Sequence, residues 1–67
     1  MKYNVGDILC YTFYSQISQQ EKSLYYLIKE ATSTPFKCYH VYPMDEIDQK
    51  LLVLREDGPA ISGMYKV

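Results

Sequence analysis

The stretch that most constrains this chain is SLYYLIKEATSTPFKCYHVYP, residues 23–43. It concentrates aromatic and β-branched side chains, which pack flat on a pleated surface and favour strands. One loop-forming run, Thr32-Ser33-Thr34-Pro35, divides it. Residues 24–31 and 36–42 then read as the two arms of an antiparallel hairpin whose rings meet in cross-strand pairs. In the first arm Tyr26 and Ile28 are expected to point inward and Tyr25 outward. In the second, Phe36, Cys38, His40 and Tyr42 alternate with Lys37, Tyr39 and Val41. Phe36, Cys38 and Tyr42 are assigned to the interior, which leaves Tyr39 outside. A helix over 19–31 competes with the first arm. Ser18-x-x-Glu21 fits a capping box, and Leu24, Leu27, Ile28 and Ala31 recur at helical spacing. The strand is preferred, because the helix would expose the rings of both Tyr25 and Tyr26.

The flanking sequence is punctuated in the same way. Asn4-Val5-Gly6-Asp7 is a turn signature. ILCYTFY, residues 8–14, follows as a strand, with Leu9, Tyr11 and Phe13 on an inner face and Ile8, Cys10, Thr12 and Tyr14 on an outer one. The polar run 15–23 reads as a loop. Pro43, which has no N–H for a ladder, ends the third strand. LLVLRE, residues 51–56, is the fourth strand, and Asp57-Gly58-Pro59 a turn. Residues 60–67 are expected to close the chain as a last strand, with Gly63 at a bulge.

With 67 residues the chain holds one domain, 1–67. A domain this small buries only ~60% of the surface its unfolded chain exposes. Five short strands in an open sheet would leave naked edges, and curling into a barrel removes them. The order of elements resembles small SH3-like β-barrel proteins. Val5-Gly6-Asp7 stands where a VGD turn opens the first strand, YYLIKEA and FKCYHVY form the long aromatic hairpin, and EDGP is the tight turn before the last strand. The resemblance implies a mainly β fold, a small five-stranded antiparallel barrel, that binds proteins or nucleic acids rather than catalysing. The alternative is an α+β fold with a helix at about 19–31 packed on a small sheet.

Charge and cysteine usage exclude several functions. The formal net charge is -1, and Lys2, Lys22, Lys29, Lys37, Lys50, Arg55 and Lys66 are scattered. That argues against general duplex binding, which needs a basic patch to displace counterions. Cys10 and Cys38 sit in apolar runs, and Met1-Lys2-Tyr3 leads directly into a turn and strand rather than a leader. The expectation is a cytoplasmic protein with reduced, packed thiols. The longest aliphatic run, residues 51–54, is far short of a membrane span. Cys38-x-His40 would share a strand face, but only Cys10, Asp45 or Asp48 remain to complete a metal site, and zinc motifs pair their ligands at both ends. Asp45-Glu46-x-Asp48 lacks the spacing of a calcium loop and reads as a solvated acidic turn. The sequence has no phosphate-cradling glycine loop and no triad-like set, so no enzyme activity, cofactor or metal is expected.

Eight tyrosines and two phenylalanines exceed what such a small interior accepts. Exposed tyrosines are enriched at interfaces because they offer contact area at low rotamer-entropy cost. Tyr14, Tyr25, Lys29, Lys37 and Tyr39 are therefore the candidate partner-binding residues. The expected function is a non-enzymatic protein-interaction module docking a protein partner or a second copy of itself. Its size suits a phage- or virus-encoded accessory or inhibitor protein. The alternative is a single-stranded nucleic-acid binder that stacks bases on Tyr25 and Tyr39, with Lys29 and Lys37 on phosphates.

Overall fold

The opening turn is set by Gly6. It adopts φ +94°, a conformation that side-chain-bearing residues rarely take. Asp7 N–H donates to the Asn4 carbonyl at 3.0 Å, and the Asp7 carboxylate accepts the Asn4 N–H at 2.9 Å. The turn is tied to the sheet by Gly6 N–H to the Ile28 carbonyl, 2.9 Å, and by Ile28 N–H to the Asp7 carbonyl, 3.0 Å. The computed structural model describes residues 2–45 and 50–67.

Beyond this turn the chain runs through β1 (Ile8–Ser15), β2 (Gln20–Thr32), β3 (Cys38–Pro43), β4 (Leu52–Arg55), the helical turn α1 (Pro59–Ser62) and β5 (Met64–Lys66). The five strands form one antiparallel sheet in the order β4-β3-β2-β1-β5. Each strand pairs with its predecessor until β5 returns to β1. The fold is mainly β as expected, but the expected barrel is not formed: among the described residues the sheet is not closed, and β4 and β5 are its two edges. Of the span 19–31 considered for a helix, residues 20–31 are strand and Gln19 lies in the preceding turn.

Several expectations need correction. The polar run 15–23 is mostly strand, with only residues 16–19 in the turn. Its register is continuous from Ile8↔Leu27 to Ser15↔Gln20. Polarity marks this hairpin as solvent-exposed, and polar composition alone does not distinguish an exposed strand from a loop. At about 3.4 Å per residue, the 13 residues of β2 span ~44 Å, close to the 41 Å long axis of the molecule. Residues 60–62 are helix rather than strand. Pro59 sits in the first turn, and Gly63 is the C-cap, not a bulge. A Cβ on Gly63 would lie 3.4 Å from the Tyr11 ring, so the absent side chain lets that ring pack close.

The real bulge lies in β2. Its pairing with β3 shifts between Ile28↔Val41 and Glu30↔His40, which leaves Lys29 as the extra residue. The inward positions thus change phase, from Tyr26 and Ile28 to Ala31, which pairs with Tyr39. The three-residue step from Ile28 to Ala31 is what mimics helical spacing in the sequence.

The same register inverts the expected faces of β3. Tyr39 and Val41 are fully buried, whereas Cys38, His40 and Tyr42 are only half-buried on the other face. Phe36 precedes the strand and is exposed. The interior is built from Leu9, Ile28, Tyr39, Val41, Ile61 and Tyr3, with Tyr26, Ala31, Leu54 and Met64 packed around them. Tyr3 meets Tyr39 edge-on, ring centroids 5.7 Å apart. The Tyr39 hydroxyl accepts the Tyr3 N–H at 2.9 Å and donates to Glu56 Oε2 at 2.5 Å. Glu56 Oε2 also accepts the Lys2 N–H at 3.1 Å. This polar knot pins the chain start to the segment after β4, and it explains how a tyrosine can be buried completely.

Candidate functional site

Cross-strand partners share a face, so the register identifies the side of the sheet opposite the core. Cys10 lies between Tyr25 of β2 and Tyr65 of β5. Thr12 faces Ser23, Ile8 faces Leu27, Leu27 faces Tyr42, and His40 faces Val53. This outer face therefore carries Tyr14, Tyr25, Tyr42 and Tyr65 among small polar and aliphatic neighbours. Tyr14 is 64% exposed, Tyr65 54% and Tyr25 38%.

Its centre is a cluster of hydroxyls around one thiol. Thr12 Oγ1 lies 3.2 Å from Ser23 Oγ and 3.4 Å from the Tyr65 hydroxyl, and Cys10 Sγ is 3.7 Å from Thr12 Oγ1. Cys10 is buried despite facing away from the core, because a tyrosine flanks it on each side. The Tyr65 hydroxyl, followed by those of Thr12, Ser23 and Tyr25, holds the thiol below its ordinary range against the opposing effect of desolvation. The Tyr25 backbone is fixed as well. Its N–H donates to the Asp45 carboxylate at 3.1 Å, and its carbonyl accepts the Met44 N–H at 2.8 Å. Asp45 thus secures the β2–β3 end of the face instead of only facing water. The rest of the acidic segment, Glu46 to Asp48, lies outside the described residues.

The five residues expected to bind a partner fall in different places. Tyr14 and Tyr25 are on the outer face. Lys29 is exposed at the bulge. Lys37 is exposed just before β3, in an open groove of about 510 Å³ shared with Phe36 and Arg55. There the Arg55 guanidinium lies 4.5 Å above the Phe36 ring and is paired with Asp57 at 3.1 and 3.2 Å. Tyr39 is in the core and offers no surface, for the reason given by its hydroxyl partners. Sequence reasoning missed Tyr65, Tyr42, Thr12 and Ser23. Tyr65 alternates with Met64 and Lys66, but only its pairing with β1 places it beside Cys10.

Cys38 and His40 share the outer face, as their spacing requires. Cys10 is remote from them. It pairs with Tyr25 and Cys38 with Thr32, so about 23 Å of β2 separates the two thiols. Both cysteines are free, and no group of three metal-ligating side chains occurs among the described residues. A second groove of about 270 Å³, on the other side of the sheet, is lined by Tyr11, Tyr26, Pro59, Ala60 and Met64. No helix among the described residues is long and apolar enough to cross a membrane. No protein-family model matches this chain, and no match was found among curated proteins or solved structures.

Proposed function

We propose that this chain is a small non-enzymatic protein-interaction module that binds a protein partner through the tyrosine-bearing outer face of its sheet. The observation carrying this reading is the register that gathers Tyr25 and Tyr65 around Cys10, with Tyr14 further along β1. The phenol rings stand on strands whose backbones are already fixed, so little conformational freedom is lost when they are covered. Their hydroxyls supply orientation, and the rings supply apolar area. We read the architecture as an SH3-like barrel left open at one seam. Supporting this are the sequential antiparallel order, the return of β5 to β1, and the helical turn placed between β4 and β5.

The nucleic-acid reading loses much of its basis. Tyr39 is unavailable for stacking, and Lys37 lies in the Phe36–Arg55 groove instead of on the face that holds Tyr25. The test is affinity capture from the native host with the wild-type chain and with Tyr14, Tyr25 and Tyr65 replaced together by Ser. A protein retained by wild type and lost from the triple variant supports the proposal. Equal retention by both, or salt-sensitive binding to single-stranded oligonucleotides without any protein partner, overturns it.

A further inference from the structure

β4 is a short edge strand that presents apolar side chains to solvent. Leu51, Leu52 and Val53 are 44%, 42% and 59% exposed, and among the described residues no strand pairs with β4 on the side away from β3. Natural edges are usually blunted by inward charges, proline or bulges, and the run Leu-Leu-Val-Leu has none of these.

The hydrogen-bond phase shows which groups face outward. Glu56 N–H donates to the Lys37 carbonyl at 2.9 Å, which makes Lys37 and Glu56 a hydrogen-bonded pair in the β3–β4 register. In an antiparallel ladder such pairs alternate, so Leu54 and Leu52 also direct their backbone groups at β3. Val53 and Arg55 therefore direct theirs outward. The Arg55 carbonyl is engaged by the Gly58 N–H at 3.0 Å. Among the described residues, no further strand takes up the Val53 N–H and carbonyl at the middle of the strand.

We propose that this edge pairs with the same edge of a second copy, antiparallel about a two-fold axis at Val53. In that register each Val53 exchanges both backbone hydrogen bonds with its counterpart, and Leu52 lies opposite Leu54 of the second copy. Carried outward, it sets Leu51 opposite Arg55 and Lys50 opposite Glu56, so no like charges face each other along the paired edge. Two-fold pairing keeps the faces aligned. The two tyrosine-bearing surfaces then join into one continuous ten-stranded sheet. This pairing goes beyond the proposed function and stands whether or not a partner binds the tyrosine face. Four-residue strands bury far less than a standard interface of ~1,200–2,000 Å², so the association is weak and concentration-dependent.

Sedimentation equilibrium of the full chain from roughly 10 μM to 1 mM tests it, the range suited to a small interface. The wild type should shift from its 7.9 kDa monomer towards twice that mass. Val53→Pro removes only the outward N–H and should weaken pairing at least about tenfold while preserving the β3–β4 ladder. Val53→Lys, which keeps every backbone group and sets two ammonium groups face to face at the axis, should do the same if the proline variant fails to fold. Val53→Thr should associate like wild type. A wild type that stays monomeric to the highest concentration, or a Val53→Lys variant that associates as well as wild type, overturns the pairing. A wild type that stays monomeric yet captures a foreign strand at this edge likewise overturns it, in favour of a different occupant.

Discussion

Replacing Tyr39 with Phe removes one oxygen atom and leaves a fully buried ring in place. Two hydrogen bonds disappear with that atom, the one accepted from the Tyr3 N–H at 2.9 Å and the one donated to Glu56 Oε2 at 2.5 Å. The first loss dominates, because the Tyr3 donor is buried and a buried donor without an acceptor costs about 1–3 kcal/mol. Glu56 keeps the Lys2 N–H and its contact with water, so it contributes less. The expected destabilisation is about 2 kcal/mol, a substantial part of the ~3–10 kcal/mol expected for a domain of this length. At 4–8 °C per kcal/mol, the melting temperature should fall by roughly 10 °C. Urea unfolding followed by circular dichroism measures this directly, with an unchanged m-value showing that the native compactness survives. The pH dependence gives an independent readout. Hydrogen bonding from Tyr39 and then from the Lys2 N–H holds the Glu56 carboxyl below its ordinary 4.5. The unfolded state therefore binds more protons in that window, so this stabilisation is complete above about pH 4.5 and is lost as pH falls through the lower folded value. Burial, followed by the hydrogen bond to Glu56, raises the Tyr39 phenol above its ordinary 10.0. Its contribution is complete below pH 10 and lost as pH rises through the higher folded value. The Phe variant should show a flatter profile at both ends. A change below about 0.5 kcal/mol, within the range of an ordinary surface substitution, with an unaltered acid limb would refute the reasoning.

Gly6→Ala should destabilise by about 1 kcal/mol or more, because φ +94° is strained for alanine even though open space surrounds the new methyl group; chemical denaturation measures it. Deleting Lys29 removes the bulge and leaves Ile28 and Ala31 two positions apart, so both still face inward opposite Val41 and Tyr39; chemical denaturation should show cooperative unfolding retained, and Lys29→Ala should stay within about 0.5 kcal/mol of wild type. Limited alkylation followed by peptide mass spectrometry should label Cys38 before Cys10, since Cys38 is half-exposed and the better-activated Cys10 thiol is covered by Tyr25 and Tyr65. Faster labelling of Cys10 in the folded state would show that the face opens readily.

The outer face was legible only where a residue's side depends on its own strand. Tyr14 and Tyr25 were placed correctly because simple alternation holds in β1 and in the first part of β2. Tyr39 was misplaced because both faces of β3 are apolar enough to serve as the inner one. Nothing in CYHVYP distinguishes Tyr39 and Val41 from Cys38, His40 and Tyr42. The distinction comes from Tyr3, whose N–H donates to the buried phenol, and Glu56, whose carboxylate accepts from it, both from distant parts of the chain.

By itself the sequence determined the opening turn, the strand-rich composition, the break between β2 and β3 around Pro35 and the stop at Pro43. Each of these rests on what one residue's backbone permits, such as the positive φ of Gly6 or the missing N–H of proline. Tertiary structure alone decided which side of β3 is buried, where β2 carries its extra residue, and that Tyr65 stands beside Cys10. Those outcomes depend on register between strands far apart in the chain, and a one-residue shift exchanges the two faces of everything beyond it.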